Sequence, residues 1–224
     1  MPPWPPMTKP AAAGPAAAAA ARATWRRLLA GNVAYQKGQA PRPDVAARAR
    51  LLHQQTPQAV VLGCADSRVP VEEVFAVGPG ELFTVRTAGL SLGPAVLGSI
   101  EYAVSVLHVP LLVVLGHTAC GAVHLATQSQ APDLPANCSL PQVVQAVHSA
   151  WRAACPGWWA SAVPQPSAQS EPFHAHIHGT VWGILTGSSL LATAVQRGQL
   201  AVVGAEYDLA SGQVQPLPQL QHGV

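Results

Sequence analysis

The chain has 224 residues, 49% of them hydrophobic and only 10% charged, with a formal net charge of +2 when His is neutral. That length supports one sizeable core with appendages, and so little charge implies apolar surface covered by a further copy of the chain. The charge balance offers no basic field for nucleic acid, and apolar runs of about six residues fall far short of the roughly twenty that cross a bilayer.

Residues 1–23 are dominated by Pro and Ala, from Met1-Pro2-Pro3-Trp4-Pro5-Pro6-Met7 through the run between Ala11 and Ala23. They read as a disordered extension ahead of one domain over 24–224. Lacking a basic start before a leucine-rich stretch, they do not read as a secretory signal. Thr24 is a candidate N-cap for a helix that carries Trp25, Leu28 and Leu29 on one face. Pro57 to Gly63 and Pro110 to Gly116 are short, almost wholly apolar and bounded by Pro and Gly, as strands covered on both faces of a parallel sheet are. Between them, Glu81 to Arg86 suits another strand and Pro94 to Leu107 a helix returning to the next strand, a βαβ rhythm. A short helix is expected after Cys120, to Thr127. The stretch from about 130 to 172 is rich in Pro, Ser and Trp, contains a helix from Pro141 to Ala154, and reads as a variable insertion. His178 to Arg197 has the pattern of one long amphipathic helix, with His174, His176 and His178 at its irregular start or first turn. In a strand those three imidazoles would share one face and could hold a metal. Leu200 to Ala205 suits a buried strand, and Tyr207 to Gly212 a turn into a last edge strand reaching about Leu217. The expected fold is α/β in three layers: a central, mostly parallel four-stranded sheet plus an antiparallel edge strand, with helices on both faces.

Cys64 and His117 stand just past two of these strands. If the strands are parallel neighbours, both ends lie on one edge, where open α/β sheets place their ligands. His117 and Cys120 are close enough for one turn to aim both at a single point. Two sulfurs and one nitrogen favour zinc, and three protein ligands leave a fourth tetrahedral position for water or substrate. Asp66 and Arg68 put charge directly beyond a buried strand, where a guanidinium can hold a carboxylate through two parallel hydrogen bonds. His124 is read as packing rather than as a proton relay. Four cysteines without a secretory context imply no disulfide framework. Two serve zinc, Cys138 and Cys155 remain, and a reducing cytoplasm is the simplest home for thiolate ligands.

Three segments carry a resemblance: Cys64-Ala65-Asp66-Ser67-Arg68-Val69-Pro70, then Ser99-Ile100-Glu101-Tyr102-Ala103-Val104, then Gly116-His117-Thr118-Ala119-Cys120-Gly121-Ala122-Val123. Together they resemble the β-class carbonic anhydrases, over a span from about Trp25 to the segment between Tyr207 and Val214. The resemblance implies one Zn2+ per chain on Cys64, His117 and Cys120, with Asp66 and Arg68 as the catalytic pair beside it. It implies reversible hydration of carbon dioxide to bicarbonate by a zinc-bound hydroxide, in a homodimer or dimer-based oligomer. It also implies two states of Asp66, one accepting a hydrogen bond from the hydroxide and one ligating zinc in a closed resting state. Thr87 and Leu90 depart from the pattern, standing where many relatives carry asparagine, and touch hydrogen bonding around the cleft or a subunit contact. Two other functions fit the same residues: hydrolysis of carbonyl sulfide or carbon disulfide on this scaffold, or a non-catalytic zinc-stabilised binding module. The intact Asp66 and Arg68 pair speaks against the second.

Overall fold

Burial explains the sheet before topology does. In the computed structural model, which describes residues 14–39, 49, 51–52, 54–128, 137–153 and 171–223, strand β1 (Ala59–Cys64) is buried at every position. Strand β2 (Leu82–Thr87) is buried only at Leu82, whereas β3 (Leu111–His117) and β4 (Ala201–Tyr207) are buried throughout. A strand covered on both faces reads as a continuous apolar run, and one at the rim does not. The order with β5 (Val214–His222) is β2-β1-β3-β4-β5. Three of its pairings are parallel and β4 to β5 is antiparallel, so the expected sheet is found. β5 runs past the expected Leu217, with an irregularity opposite Val203 and Ala205.

Seven helices cover the two faces among the described residues: α1 (Pro15–Gln36), α2 (Val71–Val74), α3 (Pro94–Ser105), α4 (Gly121–Thr127), α5 (Leu140–Ala153), α6 (Glu171–Gly187) and α7 (Ser189–Gln196). On one face Trp25 and Leu28 of α1, with Val71, Val74 and Phe75 at α2, pack on Val61, Val113 and Val203. On the other, Ile100, Val123, Val147, Ile177 and Leu191 pack on Leu62, Val114 and Val202. Helix α6 approaches α5 so closely that a Cβ at Gly179 would fall inside the carbonyl of Ala150, a contact that only glycine permits. No described helix is long and apolar enough to cross a membrane.

Two expectations need correction. Helix α1 starts at Pro15, not Thr24, so residues 15–23 are helical and part of the expected extension is structured. Alanine is the strongest helix former, proline suits the first turn, and Ala21 is fully buried, so composition alone misled. Residues 1–13 lie outside the described residues. The expected helix from His178 to Arg197 is two helices. Ser188 breaks it, accepting a hydrogen bond from the Leu191 N–H at 3.2 Å as an N-cap and donating to Glu101 Oε1 at 2.5 Å. Of the stretch from about 130 to 172, the described residues are 137–153 and 171–172.

Asn32, 2% exposed, ties the two ends of the chain together. Its Nδ2 donates to Val74 O at 3.0 Å and to Gly212 O at 2.9 Å. Its Oδ1 accepts from the Val214 N–H at 2.8 Å and from Gln36 Nε2 at 2.9 Å. All four of the side chain's hydrogen-bonding positions are thus used. Asn32→Ala leaves buried backbone groups orphaned and is expected to cost roughly 2–3 kcal/mol. Urea denaturation at fixed metal content measures it, and an unchanged midpoint would contradict the assignment.

Candidate metal centre

β1 and β3 are parallel neighbours with Gly63 opposite Leu115, so Cys64 and His117 end adjacent strands at the same edge. Beyond His117 the chain turns through Ala119, held at φ 53°, and delivers Cys120 to the N-cap of α4. The donor atoms of Cys64, His117 and Cys120 lie within 4.8 Å of one another, and all three residues are buried. The two sulfurs are 3.9 Å apart. That is far beyond the roughly 2.05 Å of a disulfide. It matches the separation of about 3.8 Å that two Zn–S bonds of about 2.3 Å subtend at a tetrahedral angle.

His117 presents the right atom. Its Nδ1 is 2.9 Å from Thr118 O, which can only accept, so Nδ1 carries the proton and Nε2 a bare lone pair. Nε2 is buried and has no hydrogen-bond partner, an expensive state unless the lone pair serves a metal. Thr118 is itself pinned, its N–H donating to Tyr207 O at 3.0 Å and its Oγ1 accepting from the Leu209 N–H at 3.0 Å. The donor set, its spacing and this orphaned nitrogen fit a zinc ion.

Asp66 and Arg68 form the two-pronged pair that the sequence suggests. Arg68 Nε reaches Asp66 Oδ1 at 3.0 Å and Nη2 reaches Oδ2 at 2.7 Å, while the Arg68 N–H donates to Oδ1 at 2.9 Å. Nη2 also touches Ala119 O at 3.3 Å, which places the pair beside the turn between His117 and Cys120. Asp66 Oδ2 stands 3.8 Å from His117 Nε2. Arg86, which sequence reasoning did not assign, donates to Cys64 O at 2.8 Å and Asp66 O at 2.7 Å, fixing the loop that carries both.

Hydrogen bonding from Arg68 holds the Asp66 carboxyl well below the usual carboxylate range, against the opposing effect of burial. Hydrogen bonding from Cys120 makes Cys64 the first thiol to ionise, although its burial opposes this. Cys120 is pushed up by that pairing and by burial. Burial depresses His117, but the neighbouring Cys64 outweighs it and the net shift is upward. An imidazole drawn toward its cationic form by its surroundings marks a place that favours a cation.

The 3-10 turn Ala88–Leu90 closes the inner side. Gly89, at φ 59°, donates its N–H to Cys64 Sγ at 3.4 Å. A Cβ there would lie 2.8 Å from the Ala122 Cβ. Leu90, also at positive φ (56°) and 2% exposed, walls the site, while Thr87 Oγ1 donates to Ser91 O at 3.1 Å. Thus one of the two departures from the asparagine pattern keeps a hydrogen bond and the other supplies an apolar wall. A cavity of about 10 Å³, room for roughly one ion or water, is lined by the three donors together with Leu90, Phe173 and His176.

The histidine trio is split by its helix. Successive positions two apart point in nearly opposite directions on a helix. His176 faces the site with Nε2 2.6 Å from Gly89 O, whereas His174 pairs through Nε2 with Glu206 Oε2 at 3.1 Å. The three therefore do not form one ligand set. His124 is exposed, 2.9 Å from Gln128 Nε2, and so is not core packing.

Residues 59–214 match the family model described as carbonic anhydrase. The chain is 41% identical over 192 residues to carbonic anhydrase 2 of Mycobacterium tuberculosis, covering 85% of this chain and 89% of that protein. It is 40% identical over 196 residues to a carbonic anhydrase of Mycolicibacterium smegmatis, covering 86% and 91%. Among solved structures, one of two tetrameric β-carbonic anhydrases from Sordaria macrospora is similar at a TM-score of 0.62 and 22% identity, over 88% of this chain and 95% of that one. The Coccomyxa β-carbonic anhydrase in complex with acetazolamide is similar at 0.60 and 24%, over 88% and 82%. A family match across most of the sequence, close relatives along nearly its full length and the same fold around a Cys-His-Cys edge leave one assignment: this chain is an enzyme of the β-class carbonic anhydrase family.

Proposed function

We propose that the protein catalyses the reversible hydration of carbon dioxide to bicarbonate and a proton, with one zinc ion held by Cys64, His117 and Cys120. The observation that carries this reading is the buried three-donor cluster with the Asp66 carboxylate paired to Arg68 beside it. Zinc supplies acidity: it lowers the pKa of water from about 15.7 toward 7, so that a strong nucleophile exists at neutral pH. Asp66 accepts a hydrogen bond from the attacking water and orients it toward the carbon. Arg68 keeps Asp66 charged and would hold the carboxylate back from a metal bound by the three donors. Leu90, Phe173 and Ile177 line the cavity with apolar surface, which suits a linear, uncharged substrate.

Arg68→Ala frees the carboxylate to close on the metal. Hydration at pH 7 is expected to fall about tenfold or more, with partial recovery at high pH as hydroxide competes for the position. A wild-type profile in that variant would show that Arg68 does not gate Asp66.

Exposed Trp182 and Leu190, together with the open rim of β2, support a homodimer or dimer-based oligomer. Two thiol ligands that must stay reduced support a cytoplasmic location. The reading is tested by stopped-flow hydration of carbon dioxide from about pH 6.5 to 9 on protein of known zinc content. Fast turnover rising gently with pH is expected. Full zinc with background rates throughout would overturn it, and carbonyl sulfide and carbon disulfide would then be tried.

A further inference from the structure

We infer that His176 is a positioning residue for the metal centre, gripping the Gly89 turn so that the Gly89 N–H stays aimed at the Cys64 sulfur. The inference rests on the zinc reading above and adds to it a residue outside the ligands and the Asp66–Arg68 pair.

The geometry runs in one line. His176 lies on α6 and is 2% exposed. Gly89 O can only accept, so the 2.6 Å contact with His176 Nε2 puts the ring proton on Nε2. On the other side of the same α-carbon, the Gly89 N–H donates to Cys64 Sγ at 3.4 Å. The two hydrogen bonds together fix Gly89 at φ 59° and ψ 32°. The turn needs such a grip, because Leu90 follows at φ 56°, a conformation that a side-chain-bearing residue leaves when released. Burial keeps the imidazole neutral, so it is a donor with one proton. Helix α6 in turn holds His176 in place, fixed on α5 by the Gly179 approach and on the sheet by Ile177 over Gly116. An N–H to a metal-bound thiolate spreads its charge and orients its lone pairs, and partners of this kind tune metal affinity as ligands do.

The test uses His176→Phe, which keeps a ring but removes the donor, and His176→Gln, which keeps a terminal N–H. Zinc affinity of metal-free protein is measured by chelator competition, and the sulfur-to-metal charge-transfer band is recorded after loading with cobalt(II). The Phe variant is expected to bind zinc about 10–100-fold more weakly with a shifted band, and the Gln variant to recover most of the loss. A packing role predicts the reverse order, with the bulky Phe tolerated and Gln the worse. A Phe variant with wild-type affinity and an unchanged band would overturn the inference. If neither variant folds, wild-type protein loaded with cadmium-113 decides: the Gly89 amide proton should couple to the metal through the Cys64 sulfur, and no coupling overturns the inference. A wild-type chain that binds no zinc would instead remove the zinc reading itself.

Discussion

Cys120→Ser protein is expected to purify with little zinc and to hydrate carbon dioxide more slowly by about a thousandfold or more. The substitution changes one atom, yet a serine hydroxyl stays protonated at neutral pH and cannot replace a thiolate ligand. The remaining Cys64 and His117 then hold the ion with two donors instead of three. The loss is not one of folding, because Cys120 caps a helix of only seven residues without a side-chain capping bond. Metal content by mass spectrometry and circular dichroism on the same sample separate the two effects. Full zinc occupancy in a folded variant would remove Cys120 from the ligand set.

Asp66→Ala has the opposite signature: zinc retained, with hydration down by about 10²–10⁴-fold. Its metal content distinguishes it from Cys120→Ser even if both lack activity. The pH dependence adds a second check. Arg68 holds the Asp66 carboxyl well below its usual range. Its stabilising effect is therefore complete above the unfolded value near 3.9 and is lost only as pH falls through the still lower folded value. Asp66 should contribute no inflection between about pH 5 and 9. The wild-type and Asp66→Ala profiles should then share a midpoint and differ in height. Zinc-free Asp66→Ala protein would count against the assigned roles.

What could be read from the sequence and what could not divide along physical lines. Strands β1, β3 and β4 announce themselves because a strand buried on both faces has to be largely apolar, and Pro and Gly bound the first two runs. The neighbourhood of Cys64, His117 and Cys120 follows from that, since two parallel strand ends share an edge. His176 was hidden by its own pattern. Histidine at every second position suggests a strand face, and only a helix through Glu171–Gly187 separates His176 from His174. The Gly187-Ser188 junction carried a legible signal, a capping residue inside a helical run, and was outweighed by the apolar periodicity around it. The alanine-rich run from Ala16 to Ala23 misleads in the same way: low complexity suggests disorder, but alanine needs no complexity to be helical. Arg86 could not have been assigned, because its partners are backbone carbonyls of a loop on the neighbouring strand.

The four-way junction at Asn32 also constrains the order in which the chain comes together. Asn32 is made early, yet Gly212 and Val214, two of its partners, lie 180 and 182 residues further along. Helix α1 can form on its own, but it cannot lock until the hairpin between β4 and β5 exists. Contacts of such long range form late in folding. Asn32→Ala should accordingly accelerate unfolding and leave the refolding rate nearly unchanged. Helix α1 is then secured only after a hairpin some 180 residues further along has formed.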